Sequence, residues 1–423
     1  MDYTIRTTCR SCGSSKLTPF WTAGNVYIVK YPYQADTKSP KAPLTLCACE
    51  DCWLVQLQHT VNPALLYTEF FYRSGVNEMM RKELANIASE AYKCVVVSNE
   101  SWILDIGCND GTLLKSYPQY PGMCDLVGLV GIDPALNIQK PGAQPDNWYF
   151  TPGYFSSEAV SRISGGDPYE IITAISMFYD LDNPLDFLKE VKEVLSKTGV
   201  FVVQMNYLLS MLNKNCVDNI CHEHLTYFSL TSLMPLFKAA GLDIFRVETN
   251  DCNGGSIRVY AGHEGKKLIE PSVALTLETE AKAELNKFET YGAFSKRVQG
   301  IVNELNLMIT EVAEKGKKLY AYGASTRGTT LLQLLNTEGK IVAAAERDQN
   351  KFGRHMVGSW LPIISEEEAR SKADYFLVLP WHFWPAIKQR EKNWMNKGGT
   401  FIVPLPVPIV YSNTTIRTIA GVA

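Results

Sequence analysis

Short apolar runs that end in an acid, a glycine or a proline recur along this chain, and between them apolar residues fall at helical spacing. The stretch WILDIGCNDGTLL, residues 102–114, predicts a strand ending in Asp105, a turn carrying Gly107 and Gly111, and a helix starting at Thr112. The next apolar run, LVGLVGID, is a second strand ending in Asp133. EIITAISMFYDL then reads as a strand running into a turn, FLKEVKEVLSKTG as a helix stopped at Gly199, and VFVVQMNYLL as a strand. LTSLMPLFKAAG is a helix ending at Gly241, followed by the strands LDIFRVETN and GSIRVYAG. Strands alternating with helices in this way predict one doubly wound sheet. Upstream, Met79, Met80, Leu84, Ile87, Ala88 and Ala91 share a helical face over 77–91. Downstream, 275–317 is charged, free of proline and helical by pattern, as one long helix or a pair. KKLYAYGASTRGTTLLQLL repeats the order of strand, small-residue turn and helix, with IVAAAERD, YFLVLPW and TFIVPLP as further strands.

The pattern divides the chain into a small segment at 1–75, a central α/β domain at 76–265 and a second α/β domain at 266–423. A length of 423 residues suits two or three domains. A net charge of -3 leaves no footprint for nucleic acid or a membrane surface. No apolar run approaches the ~20 residues of a membrane span, and MDYTIRTTCRSC lacks the apolar core of a signal peptide, so a cytoplasmic protein is expected. The aromatic run Phe70, Phe71 and Tyr72 stands at a domain junction and by default packs there.

Eleven cysteines in such a chain are ligands or buried thiols before they are disulfides. Cys9 and Cys12 form one CxxC pair and Cys49 and Cys52 another, the two knuckles of a tetrahedral zinc site, with Cys47 spare. Four sulfurs fill the coordination shell, so the zinc is structural. The proline-, glycine- and polar-rich stretch between the knuckles is expected to lack a core of its own, which the metal replaces. A redox role is the alternative, but neither pair adjoins a βαβ pattern.

Three places carry candidate chemistry. The turn after Asp105 reads D-x-G-x-N-x-G, and Asn109 and Thr112 stand where a GxGxxG fingerprint needs glycine. Asp133 ends the neighbouring strand, where a carboxylate accepts hydrogen bonds from ribose hydroxyls of a nicotinamide or an adenosylmethionine, or merely caps the turn at Pro134. In DNICHEHLTYFS, His222, Glu223 and His224 are consecutive ionisable groups. They suit acid/base chemistry, a metal held by alternate residues, or a structural hydrogen-bonding cluster. The third place is the turn from Gly323 through Ser325 and Arg327 to Gly328, a helix start suited to a phosphate or pyrophosphate, or else a tight packing turn.

D-x-G-x-N-x-G resembles the first motif of class I adenosylmethionine-dependent methyltransferases, with Asn109 in place of the usual middle glycine. Over nearly the whole length, the paired CxxC knuckles, DIGCNDGTLL, HEHLTYFS, NGGSIRVY, AYGASTRGTTLL and GGTFIVPLP occur in an order that resembles the sugar C-methyltransferases. The resemblance implies a central class I methyltransferase (Rossmann-like) domain, a small N-terminal zinc-binding domain and a second Rossmann-like C-terminal domain. It implies methylation at carbon 3 of a nucleotide-linked 4-keto-deoxysugar. Adenosylmethionine would meet Asp105, Gly107, Asn109, Gly111 and Asp133; the nucleotide diphosphate would meet Gly323, Ser325, Arg327 and Gly328. His224 matches the family's proposed base, and Glu223 and Tyr72 match residues lining the same cavity, with Tyr72 or His222 as donors to an enolate oxygen. Cys221 stands where members have tyrosine, and Arg327 where lysine is common. The rival expectations are a sugar O-methyltransferase, an oxidoreductase, disfavoured by the missing GxGxxG, and a non-catalytic zinc-dependent scaffold.

Overall fold

Strands buried on both faces must be covered by helices on both faces, and the central sheet follows from this. All residues of Gly128–Asp133 and of Ser256–His263 are buried. The computed structural model describes residues 2–36, 38–66, 73–98, 100–117, 128–135, 138, 147–413 and 416–418. Its central sheet has seven strands in the order Leu242–Asn250, Ser256–His263, Leu195–Asn206, Tyr169–Ile175, Trp102–Ile106, Gly128–Asp133 and Trp148–Pro152. Ser256–His263 runs antiparallel to both its neighbours, as in class I methyltransferase sheets. That reversal is made at Asn253, Gly254 and Gly255, all at positive φ, where glycine carries no steric cost.

Successive residues of each strand face opposite layers. Ile103, Val200 and Val202 pack under the helix Glu78–Lys93, which buries Met80, Leu84, Ile87, Ala88 and Ala91. Leu104, Phe201 and Val203 face the other way, toward the helices Pro184–Val194 and Leu230–Ala239. The helix expected to run to Gly199 stops at Val194, and 195–199 joins the strand Leu195–Asn206. Leu195 pairs there with Tyr169 and its carbonyl accepts from His263 Nε2 at 3.0 Å, so sheet pairing overrides helical pattern.

The N-terminal segment departs most from expectation. Leu17–Tyr27, Lys41–Cys49 and Val55–Leu57 form an antiparallel sheet whose fourth strand, Thr226–Tyr227, comes from the central domain. Leu44, Leu46, Ala48, Val55 and Leu57 are buried and continuous with the main core. The stretch between the knuckles is therefore not coreless; its polar residues alternate with apolar ones that the sheet turns inward.

Toward the C-terminus, the helices Pro271–Lys282 and Phe288–Glu314 bridge to a second sheet. Its order is Ile363–Ser365, Ile341–Glu346, Leu319–Tyr322, Tyr375–Val378, Thr400–Val403, Ile409–Tyr411 and Ile416–Thr418. The first five are parallel and the last two join antiparallel. Among the described residues no helix is long and apolar enough to cross a membrane.

Candidate active site

The first strand of the central sheet ends where its glycine turn can face a ligand. Gly107, Asn109 and Gly111 have φ of 71°, 51° and 73°, so the turn needs left-handed backbone at three places. Asparagine tolerates that region better than most residues, which explains its substitution for glycine here. A Cβ on Gly107 would lie 3.0 Å from the Met177 side chain. Ser74 N donates to Asn109 Oδ1 at 3.0 Å and Gly75 N to Asp110 Oδ2 at 2.8 Å, clamping the segment after the zinc region onto the turn.

Asp133 Oδ2 accepts from Asn109 N and Oδ1 from Ala135 N, both at 2.8 Å. It caps its turn and also lines the cavity, and each oxygen keeps acceptor capacity for a hydroxyl. Asp105 accepts from Thr173 Oγ1 at 2.7 Å; burial, with Asp133 nearby, raises its pKa to about 7. These groups border a cavity of about 400 Å³ that extends to Glu223, His224, Thr326 and Arg327. The glycine turn's open face and the acceptors of Asp133 fit the ribose and backbone-hugging chain of adenosylmethionine.

His224 stands across the cavity. Its Nδ1 lies 2.9 Å from the carbonyl of Asn219, which can only accept, so Nδ1 carries the proton and Nε2 keeps a lone pair. Tyr179 meets the ring edge-on with centroids 4.4 Å apart. Burial, with Arg327 nearby, lowers the His224 pKa to about 4, which keeps the ring neutral at ordinary pH. Glu223 opens onto the same cavity, and burial raises its pKa.

His222 turns away. Its Nε2 donates to the carbonyl of Ala42 at 3.1 Å, and the buried ring is held against the N-terminal sheet, with its pKa lowered to about 4 by burial. It does not line the cavity, so the donor role expected of it is corrected: residues 222 and 223 lie in a turn closed by His224 N donating to the Cys221 carbonyl at 3.1 Å, not in an extended segment. His222 and His224 therefore do not converge as metal ligands. Cys221 is buried, and burial pushes its thiol well above the usual range. Tyr72 lies outside the described residues.

The turn expected to hold phosphates is largely committed to protein partners. Ala324 N donates to Glu346 Oε2 at 2.8 Å, placing a carboxylate against the turn, and Gly328 N donates to Ser325 Oγ at 3.0 Å. Gly323, with φ 90°, packs toward Pro380. Arg327 gives Nε to Asp218 Oδ2 at 2.9 Å, with Nη2 2.8 Å from the same oxygen, and Nη1 to the carbonyl of Asn253 at 2.6 Å. Trp381 Nε1 donates to that Asp218 oxygen too, at 3.0 Å. The amides of Ala324 and Gly328 and the Arg327 guanidinium are thus engaged by protein partners, and of this turn Thr326 and Arg327 border the cavity. Sequence reading passed over Asp218 and Asn219, though both stand in the quoted DNICHEH, and over Asp180 at the end of MFYD.

Outside the lining of the cavity, the sulfurs of Cys9, Cys12, Cys49 and Cys52 lie within 4.8 Å of one another. Cys9 and Cys52 are 3.5 Å apart and Cys12 and Cys49 3.6 Å. Sulfurs on a tetrahedral zinc stand ~3.8 Å apart, from a Zn–S length of ~2.3 Å, so the four fit that ion. Cys47 Sγ instead donates to the carbonyl of Gln56, as a spare thiol would.

Residues 251–406 match the sequence family described as C-methyltransferase C-terminal domain, residues 76–247 a methyltransferase domain and residues 9–67 a zinc binding domain. The C-methyltransferase NovU of Streptomyces niveus is 30% identical over 379 residues, 88% of this chain and 88% of NovU. A solved S-adenosylmethionine-dependent methyltransferase from Clostridium acetobutylicum is 13% identical with a TM-score of 0.33, covering 44% of this chain and 92% of that one. CalO1, a methyltransferase of calicheamicin biosynthesis solved in its SAH-bound form, is 15% identical with a TM-score of 0.33, covering 45% of this chain and 55% of CalO1.

Proposed function

The chain belongs to the C-methyltransferase family of NovU, and from that premise we propose that its acceptor is a nucleotide-linked keto-deoxysugar, methylated at carbon 3 beside a 4-keto group. It is an adenosylmethionine-dependent enzyme with a structural zinc site. Bound adenosylmethionine supplies an electrophilic methyl group. Everything else is the work of this chain's side chains. Asp133 accepts from the ribose hydroxyls, and Gly107, Asn109 and Gly111 shape the turn that lets the backbone approach. A ketone acidifies the neighbouring C–H, and His224 Nε2 takes that proton. Glu223 borders the sugar, and Thr326 and Arg327 close the cavity from the C-terminal domain.

One observation carries the proposal: a neutral histidine with Nδ1 tied to a carbonyl borders the same cavity as the glycine turn and Asp133. A fixed tautomer with the other nitrogen free suits a general base. The test is incubation of the enzyme with nucleoside-diphosphate 4-keto-deoxyhexoses in heavy water. Deuterium should enter the sugar next to the ketone, and the product should carry a new carbon-bound methyl group. Methyl transfer to a hydroxyl with no ring exchange would reject the carbon acceptor and return the O-methyltransferase.

A further inference from the structure

Two carboxyl groups border the cavity beside His224, and they reach it from separate elements. Asp180 closes the single helical turn Phe178–Asp180, just beyond the end of the strand Tyr169–Ile175. Glu223 comes from the loop before Thr226–Tyr227. Asp180 Oδ1 and Glu223 Oε2 are both buried and have no hydrogen-bond partner among the described residues. Buried polar atoms in folded proteins almost always have partners, and those that do not call for a reason such as strain, a catalytic role, or a water or ion.

The surroundings offer little to neutralise two negative charges. Cys221, His224 and Tyr227 face the pair from its own segment, and Tyr31 faces Glu223 from the N-terminal region. The cation nearby, Arg327, is engaged by Asp218. Burial, and next the presence of Glu223, hold Asp180 well above the usual carboxylate range, and burial raises Glu223 as well. Like charges in a dry wall do not both ionise. The thiol of Cys221 is only a weak donor, so the wall lacks a hydroxyl at that position.

We propose that Asp180 stays protonated beside Glu223, and that its carboxyl O–H donates to the acceptor's carbonyl oxygen while His224 removes the adjacent carbon-bound proton. The proposal rests on the carbon-acid reading given above. The C–H bond breaks, its proton goes to His224 Nε2, and its electron pair forms the carbon–carbon double bond of an enolate. The carbonyl π pair moves onto oxygen, where the Asp180 O–H meets it. The carbon then takes the methyl group while the sulfur keeps the electrons of the bond that breaks, and the carbonyl re-forms with the proton still on Asp180. A neutral carboxylic acid held in such a wall is a known way to place a donor where negative charge develops.

The test combines a spectrum with an exchange rate. Infrared difference spectra of the full-length wild type and Asp180→Asn at neutral pH should show a protonated carboxyl in the wild type that the variant lacks. Exchange is then followed in heavy water with a nucleoside-diphosphate 4-keto-deoxyhexose, with S-adenosylhomocysteine in place of the methyl donor. Asp180→Ala should lose about 10²- to 10³-fold in exchange rate, while adenosylmethionine affinity by calorimetry is unchanged. Asp180→Asn, nearly isosteric and still able to donate an N–H, should lose less than Asp180→Ala. If Asp180→Ala is unstable, the spectrum and rate of Asp180→Asn decide. A difference spectrum in which no carboxyl band is lost, or normal exchange in Asp180→Ala, overturns the proposal and leaves the carbon-acid reading standing. A wild type that methylates without exchange overturns both.

Discussion

His224 shows how much one side chain owes to its place. The sequence offers two histidines either side of a glutamate, and nothing in that triplet tells them apart. The loop gives one to the cavity and the other to the Ala42 carbonyl. His224→Asn should lower deuterium exchange and turnover by about 10²- to 10⁴-fold with both ligands still bound. In the wild type the exchange rate should hold as pH falls from 7 to 5 and drop only near 4, where Nε2 becomes protonated. The same lowered pKa has a thermodynamic sign. Between about 4 and 6.5 the unfolded chain binds more protons than the folded protein, so this contribution to stability is full above 6.5 and is lost as pH falls toward 4. Chemical denaturation of His224→Asn across that range should therefore show a shallower dependence on pH. Asp133→Ala should weaken adenosylmethionine far more than sugar nucleotide in separate titrations, and equal losses would make Asp133 structural. Arg327 asks for a revised expectation. Its partner Asp218 is fully buried, and removing one member of such a pair costs ~3–5 kcal/mol. Arg327→Ala should thus lower the melting temperature sharply, and Arg327→Ala with Asp218→Asn should recover part of the loss; a change in sugar-nucleotide KM at unchanged stability would restore the phosphate role.

At the scale of elements, periodicity and punctuation made most strands and helices legible. The strand Trp102–Ile106 and its glycine turn, the paired strands around NGG and the helix Leu230–Ala239 fall where the pattern puts them. What local pattern cannot carry is partnership at long range. Leu195 reads as helix and becomes strand because Tyr169 and His263 lie beside it. Ala324 N in the expected phosphate turn looked free because its acceptor, Glu346, lies on another strand. Glu280 is the same lesson in reverse. It looks like one more exposed acid of a charged helix, yet it is buried. It accepts from Leu230 N at 2.6 Å, Thr231 N at 2.8 Å and Tyr207 Oη at 2.8 Å, capping the helix Leu230–Ala239 from outside. Glu280→Ala leaves those donors buried and unpaired, and ~1–3 kcal/mol for each group so stranded is the expected order of loss. Thermal denaturation checks it, and an unchanged midpoint would mean that water replaces the carboxylate.

At the scale of the whole molecule, the zinc knuckle is wired to the catalytic wall. Arg10, between Cys9 and Cys12, is buried; its Nε donates to Asp182 Oδ1 at 3.0 Å and its Nη2 to Thr60 Oγ1 at 2.6 Å. Asp182 follows Asp180 and Leu181, which border the cavity. Removing zinc with a chelator, or making Cys49→Ser, should therefore lower the melting transition of the entire protein and slow exchange together. Two separate transitions, with the central one unmoved, would show the knuckle to be an independent unit. The strand Thr226–Tyr227 carries a further consequence, for anyone who would cut this chain. A polypeptide starting after residue 75 would lack Val55–Leu57, and the backbone groups of Thr226 and Tyr227 would face outward as a bare sheet edge. Such an edge invites pairing with other chains. The excised central piece should precipitate or form oligomers, whereas adding back residues 1–75 as a separate peptide, with zinc, should dissolve the aggregate by supplying the missing strand.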